Sequence, residues 1–306
     1  MGRFSFQFHI LGSNCVMKQF LILWMFLTAG FCAQAAEGEG TVYVVNYPLQ
    51  YFAEQIAGDD LDIVFPVPAD IDPAYWEPSV DDLVAFQTAD LVLLNGAGYA
   101  NWLTRASLPR SRLIDTSKNF HDRLIPSEGK TVHSHGPEGE HSHGGSFAFT
   151  TWLDIALARE QALAVKTAFV RRWPEQKERF EKRHEKLNAE LKALEEKLTK
   201  AFAPMTGSHV FASHPVYQYL TRAHGLKATS FHWEPDATPS ETDWAEFDRK
   251  LQKTPVTVMI WEAEPTKETR QRLASKGLKI VILPPLFQTP ETGDFLSTLS
   301  EASDRL

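Results

Sequence analysis

The chain has 306 residues, 43% of them hydrophobic and 23% charged, with a formal net charge of −8. That length suits two domains or one two-lobed domain, and the composition excludes a fibrous, collagen-like or wholly disordered chain. The acidic balance speaks against a nucleic-acid partner. The two cysteines can form neither a disulfide framework nor a four-thiolate zinc site.

Residues 19–32, QFLILWMFLTAGFC, form an apolar run behind Lys18, and Ala33-Gln34-Ala35 has the small-x-small form of a signal-peptidase site. The run is short for a membrane span. Residues 1–35 are therefore expected to be a signal peptide, with Met17 as the natural start and residues 1–16 an overextended one. Phe31 before Cys32 disfavours lipidation. Cleavage would remove both Cys15 and Cys32, which suits an oxidising compartment. Export without an anchor points to a periplasm.

Residues 41–46 (TVYVVN) alternate and are β-branched, so they predict a strand. A helix over 49–57, ending at Gly58, precedes a second strand over 61–66. A helix over 80–88, a buried strand over 91–95, the start of a helix over 99–104 and a strand over 111–115 follow. Strands alternating with helices predict βα units and a parallel sheet. Residues 127–146 (SEGKTVHSHGPEGEHSHGGS) interrupt the alternation and predict a loop outside any packed core. The longest helical stretch runs over 152–203, where Pro174 either starts a new helix or kinks the old one. Its second part is rich in Glu, Lys, Leu and Ala, with pairs such as Glu196 and Lys200, and reads as a solvated helix with one apolar stripe. Beyond it come a strand over 209–213, a helix over 216–225, a helix capped by Ser240, a strand over 256–262, a helix over 266–277, a strand over 279–285 and a closing helix.

The fold class expected is α/β: two lobes, each with a mainly parallel sheet flanked by helices, joined by one long rigid helix. The N-terminal lobe is placed at 36–150 with a His-rich loop at 131–145. The linking helix is placed at 151–203 and the C-terminal lobe at 204–306.

Several segments resemble the periplasmic metal-binding components of zinc and manganese ABC importers, the cluster A-I zinc-type family. They are YPLQYFAEQIAG at 47–58, DIDPAYWEPSVDDLVAFQTADLVLLNGAGYANWL at 70–103, TTWLDIALA at 150–158 and VFASHPVYQYLTRAHGL at 210–226. EPDATPS at 234–240 and WEAEPTKETRQRLA at 261–274 are similar too. The resemblance implies a metal, Zn2+, held in the cleft between the lobes and delivered to an ABC permease in the inner membrane. It implies a monomeric binding protein and no enzyme.

The family's ligands carry over unevenly. Its first ligand falls at Ala74, its second at Thr150, its third at His214 and its fourth beside Pro284-Pro285. Alanine and proline offer no donor, and the hydroxyl of Thr150 is a poor one at neutral pH, whereas a zinc site needs three or four donors. Only His214 is retained. Glu77, His232, Glu234 and Glu262, in segments similar to cleft-lining ones, are the candidates for a rebuilt site, with Thr150 at the cleft wall.

A second candidate is the loop itself. His133, His135, His141 and His143 fall within 11 residues, and four imidazoles on a loop can wrap a borderline metal such as zinc. Zinc-type members often carry such a loop at this place, which argues for zinc. His184 lies on the charged helix and is expected to be solvated, and His121, His209 and His224 lack spacing partners. Trp76, Trp152, Trp233 and Trp261 are expected in the core. The alternative reading is a divergent paralogue that has lost its cleft site and acts as a zinc buffer through the loop, binds a non-metal ligand, or serves as an adhesin. No nucleophile elbow, phosphate-binding loop or HExxH segment is present.

Overall fold

Alternating burial along Thr41–Val44 sets the first strand, β1, whose inward residues Val42 and Val44 are fully buried. The structure is a computed structural model. It describes residues 1–2, 40–127 and 147–306, and the backbone alone of 132–134 and 140–142. The proposed signal peptide lies almost entirely outside the described residues.

β1, β2 (Asp62–Val64), β3 (Leu91–Leu94) and β4 (Leu113–Asp115) form a parallel sheet in the order β2-β1-β3-β4. β5 (Val132–Ser134) and β6 (Glu140–Ser142) pair antiparallel with each other. β7 (His209–Ala212), β8 (Lys227–Ser230), β9 (Val258–Trp261) and β10 (Lys279–Ile282) form a second parallel sheet, ordered β10-β9-β7-β8. Counted within its own lobe, each sheet has the same winding. The first strand lies between the second and the third, and the fourth lies outside the third. In such sheets a crevice opens at the carboxyl ends of the strands where the winding reverses, between first and third.

The helices start where the sequence provides caps. Asn46 accepts from the Leu49 amide at 3.2 Å at the head of α1 (Tyr47–Ala57), and Ser79 with Asp82 forms a capping box for α2 (Val80–Thr88). α3 (Ile155–Arg172) starts at Asp154. It ends at Trp173, whose φ of −129° and ψ of 72° lie outside the helical region, as the residue before a proline is forced to do. Pro174 then opens a short turn into α4 (Lys177–Phe202). The stretch over 152–203 is therefore two helices, not one. They run antiparallel. Phe169 meets Phe180 near the turn, with ring centroids 5.5 Å apart, while Arg159 reaches back to Asn188 and Glu195.

α4 packs on both lobes, against α1 of the first and the Phe295–Asp304 helix of the second. Its stripe of Phe180, Leu187, Leu191, Leu194, Leu198 and Phe202 is buried at helical spacing. On the first lobe Arg183 donates to Asp60 at 2.6 Å. α5 (Gln218–Ala223), α6 (Glu241–Lys253), α7 (Lys267–Ser275) and α8 (Phe295–Asp304) complete the second lobe, where Lys197 donates to Ser300 Oγ of α8 at 2.7 Å.

Three further elements differ from expectation. The second strand stops at Val64, two residues before Pro66, which has no N–H for a ladder. Residues 101–104 form a single tight 3-10 turn in place of a longer helix. β8, with the polar sequence KATS, is an edge strand that no apolar pattern announces.

Candidate metal site between the lobes

Three side chains leave the carboxyl edge of the second sheet together. His214 stands two residues past β7, Glu262 immediately past β9 and Glu234 four residues past β8. The first two flank the β7–β9 reversal of winding, where the crevice is expected. His214 is 4% exposed. Its Nε2 lies 3.2 Å from Glu234 Oε1, and its Nδ1 lies 3.4 Å from Glu262 Oε1. One imidazole is thus held between two carboxylates. His232 stands edge-on to it, with ring centroids 6.3 Å apart.

The electrostatics follow from this crowding. Burial opposes charge on His214, yet the hydrogen bond to Glu234 and the charges of Glu262, Glu234 and Asp72 outweigh it and raise its pKa. Burial pushes Glu262 up to about 7, against the pull of His214 and with the push of Glu234 and Asp72. His232 moves down, through burial and then through the nearby His214 charge. Both shifts favour the protonated forms of His214 and Glu262.

The first lobe brings one carboxylate, Asp72, within electrostatic reach of this trio. Asp72 lies close enough for its charge to bear on His214 and Glu262, and on Tyr75 and Tyr99 of its own lobe. Burial first, and Asp72 second, holds both phenols well above their ordinary range. The Tyr99 ring packs on Phe149 and Trp152, and its buried hydroxyl has no hydrogen-bond partner among the described residues.

Of the sequence candidates, His214, His232, Glu234 and Glu262 are brought together. Glu77 is not: its side chain is 62% exposed and pairs with Arg105 on the surface. Thr150 does not offer its proton to a ligand; its hydroxyl donates to the carbonyl of Val216 at 2.5 Å and ties the lobes. Ala74 is buried and without a donor. Pro284 lines a cavity of about 520 Å³ together with Glu262, while the carbonyl of Pro285 accepts from Trp152 Nε1 at 2.6 Å. Residues 133 and 141 are register partners in the β5–β6 pair, but the side chains of His133 and His141, and all of His135 and His143, lie outside the described residues. Among the described residues, no three His, Cys, Asp or Glu side chains stand as a ready cage for one ion. The two carboxylates sit on opposite nitrogens of His214, so one metal cannot meet both and the same nitrogen without rearrangement.

His184 is not solvated as expected: its Nε2 is buried without a hydrogen-bond partner among the described residues, and burial lowers its pKa. His209 bonds Thr229, His224 stacks on Phe202, and Trp76, Trp152, Trp233 and Trp261 are core residues. Sequence reasoning missed Asp72, Tyr75 and Tyr99 as cleft residues. Asp72 stood two positions before Ala74, within the segment that carried the resemblance.

Comparison with known proteins places this geometry in context. Residues 42–306 match the family described as zinc-uptake complex component A, periplasmic. The zinc-binding lipoprotein AdcA of Streptococcus pneumoniae serotype 4 is 25% identical over 282 residues, 88% of this chain. The chain spans only 56% of that relative's length. The high-affinity zinc uptake system protein ZnuA of Bacillus subtilis is 26% identical over 279 residues and covered to 86%, as is this chain. The fold is similar to the Zn(II)-bound ZnuA-like domain of Streptococcus pneumoniae AdcA, with a TM-score of 0.74 at 20% identity, over 87% of this chain and 97% of that one.

Proposed function

The chain belongs to the family of periplasmic component A proteins of zinc-uptake complexes, and on that premise we propose that it captures Zn2+ between its lobes for delivery to a membrane permease. The observation that carries this reading is His214, buried at the sheet's carboxyl edge with a carboxylate on each ring nitrogen. Zinc takes a neutral imidazole nitrogen and a carboxylate oxygen as ordinary donors. To bind it, Nε2 of His214 loses its proton and Glu234 turns from hydrogen bonding to ligation. Glu262 stays on Nδ1 and fixes the ring, the usual task of a carboxylate behind a metal-bound histidine. Proton release accompanies binding. Apart from this proton exchange the cycle transforms no substrate, so the protein acts as a carrier.

The chain is read as exported to the periplasm after cleavage of residues 1–35. It acts as a monomer and docks on an ABC permease of the inner membrane. A second reading is favoured by Ala74, Thr150 and Pro284 at inherited ligand positions: a paralogue without a cleft metal, buffering zinc through its loop histidines.

A chelator-competition zinc titration separates the two readings. It uses protein lacking residues 132–144, with and without His214→Ala. Cleft capture predicts one zinc per chain in the first protein and none in the second. Equal binding in both, or none in either, would favour the paralogue.

A further inference from the structure

The cavity of about 520 Å³ lies at the carboxyl ends of β9 and β10, between the strap over 284–292 and α8. That volume suits a small organic molecule better than a bare ion. Ile282, Pro284, Leu286 and Ala302 make its walls apolar. Two observations mark it as a ligand site.

The first is the strap. Leu286 is 4% exposed, yet its φ is 59°, a left-handed conformation that residues other than glycine seldom adopt. Its neighbours are pinned to the first lobe. The Pro285 carbonyl accepts from Trp152 Nε1 at 2.6 Å, and the Phe287 carbonyl accepts from the Tyr47 amide at 3.1 Å. The side-chain amide of Gln288 donates to the carbonyls of Pro68 and Ile71 at 2.7 Å. The strap is thus a fixed wall, and backbone strain maintained in this way gathers at ligand clamps. A preformed cavity takes its ligand with little cost of ordering.

The second is the placement of charge. Glutamates outnumber arginine four to one on the cavity lining. Glu264 and Glu301 lie at the surface, 62% and 69% exposed, and pair with Arg270 and Arg305. Glu262 is recessed, with its side chain 16% exposed, and meets no Lys or Arg among the described residues. Its Oε1 lies 3.4 Å from His214 Nδ1. A carboxylate accepts through both oxygens, so Oε2 can meet a donor in the cavity while Oε1 stays with His214. A recessed carboxylate on an apolar wall calls for a cationic partner.

We propose that this cavity binds a small organic cation, an ammonium group on an apolar body of a few carbons, with the ammonium at Glu262 and the body against Ile282, Pro284 and Leu286. No metal takes part, so the site stands or falls apart from zinc capture.

Calorimetric titration of hexylammonium chloride into metal-free protein tests this, with hexanol and hexanoate as probes of the same length. One hexylammonium per chain is expected, bound at least about tenfold more tightly than hexanol, as a hydrogen bond to a charged group allows. Hexanoate should not bind. Glu262→Gln, close in shape, should bring hexylammonium down to the affinity of hexanol. Thr298→Phe, which fills the cavity from α8, should abolish binding of both. Circular dichroism of the two variants should match that of the parent. No binding of hexylammonium by the parent, equal binding by the parent and Glu262→Gln, or binding that survives Thr298→Phe would overturn the assignment, whatever the zinc titration gives.

Discussion

At the scale of the residue, His214 and Glu262 act as one proton-holding unit. Both have folded-state pKa values above their ordinary 6.5 and 4.5, Glu262 at about 7. A raised value means that the folded chain binds more protons than the unfolded one. Their contribution to stability is therefore complete below about pH 4.5 and is lost as pH rises through 7. His232, which is more exposed, titrates the other way. Metal-free protein is expected to melt at a lower temperature at pH 8 than at pH 6 on account of this pair, and Glu262→Gln should flatten the slope. Zinc works in the opposite sense, since it displaces protons, so the rise in melting temperature on adding zinc should grow over the same interval. Melting curves at both pH values, with and without zinc, check this; a slope unchanged in Glu262→Gln would contradict it. The sequence made His214, Glu234 and Glu262 legible through segments of familiar order. Glu77 was misplaced because its partner, Arg105, comes 28 residues later, and nothing local announces that pair. Asp72 stayed hidden because its nearness to His214 depends on two lobes meeting.

At the scale of the element, caps and stripes were legible and tertiary breaks less so. Ser240 with Asp243 forms the box that starts α6, as the serine suggested. Ser240→Ala should cost about 1 kcal/mol of stability, measured by denaturant unfolding, without changing zinc affinity. The apolar stripe of α4 was equally plain. Leu191 is fully buried within it, so Leu191→Ala should cost about 2–5 kcal/mol, whereas Lys192→Ala on the solvent side should stay within about 0.5 kcal/mol. Equal effects would mean that the stripe is misassigned. Pro174 left two outcomes open in the sequence, and the fold back of α3 along α4 decides between them. β8 could not be read at all. Its residues carry no apolar alternation, and what holds it is the backbone ladder to β7, from His209 opposite Lys227 to Ala212 opposite Ser230.

At the scale of the whole molecule, two sheets of identical winding open their crevices on a shared cleft, and α4 runs across both lobes. No similarity between the halves is visible in the sequence. Winding depends on strand order, and many sequences satisfy one order. Ties between the lobes come mostly from backbone carbonyls: Pro285 with Trp152, Val216 with Thr150, Pro68 and Ile71 with Gln288. Such ties depend little on side-chain identity at the accepting positions, so the lobes can keep their junction while the ligands between them change. The central claim is that this junction still holds a cation at His214. The most direct measurement is anomalous diffraction at the zinc edge from crystals of protein lacking residues 132–144, grown with one equivalent of zinc. The account predicts a single strong peak beside Nε2 of His214, with a Glu234 oxygen next to it. A peak only at exposed histidines, or none in a well-ordered cleft, would contradict it.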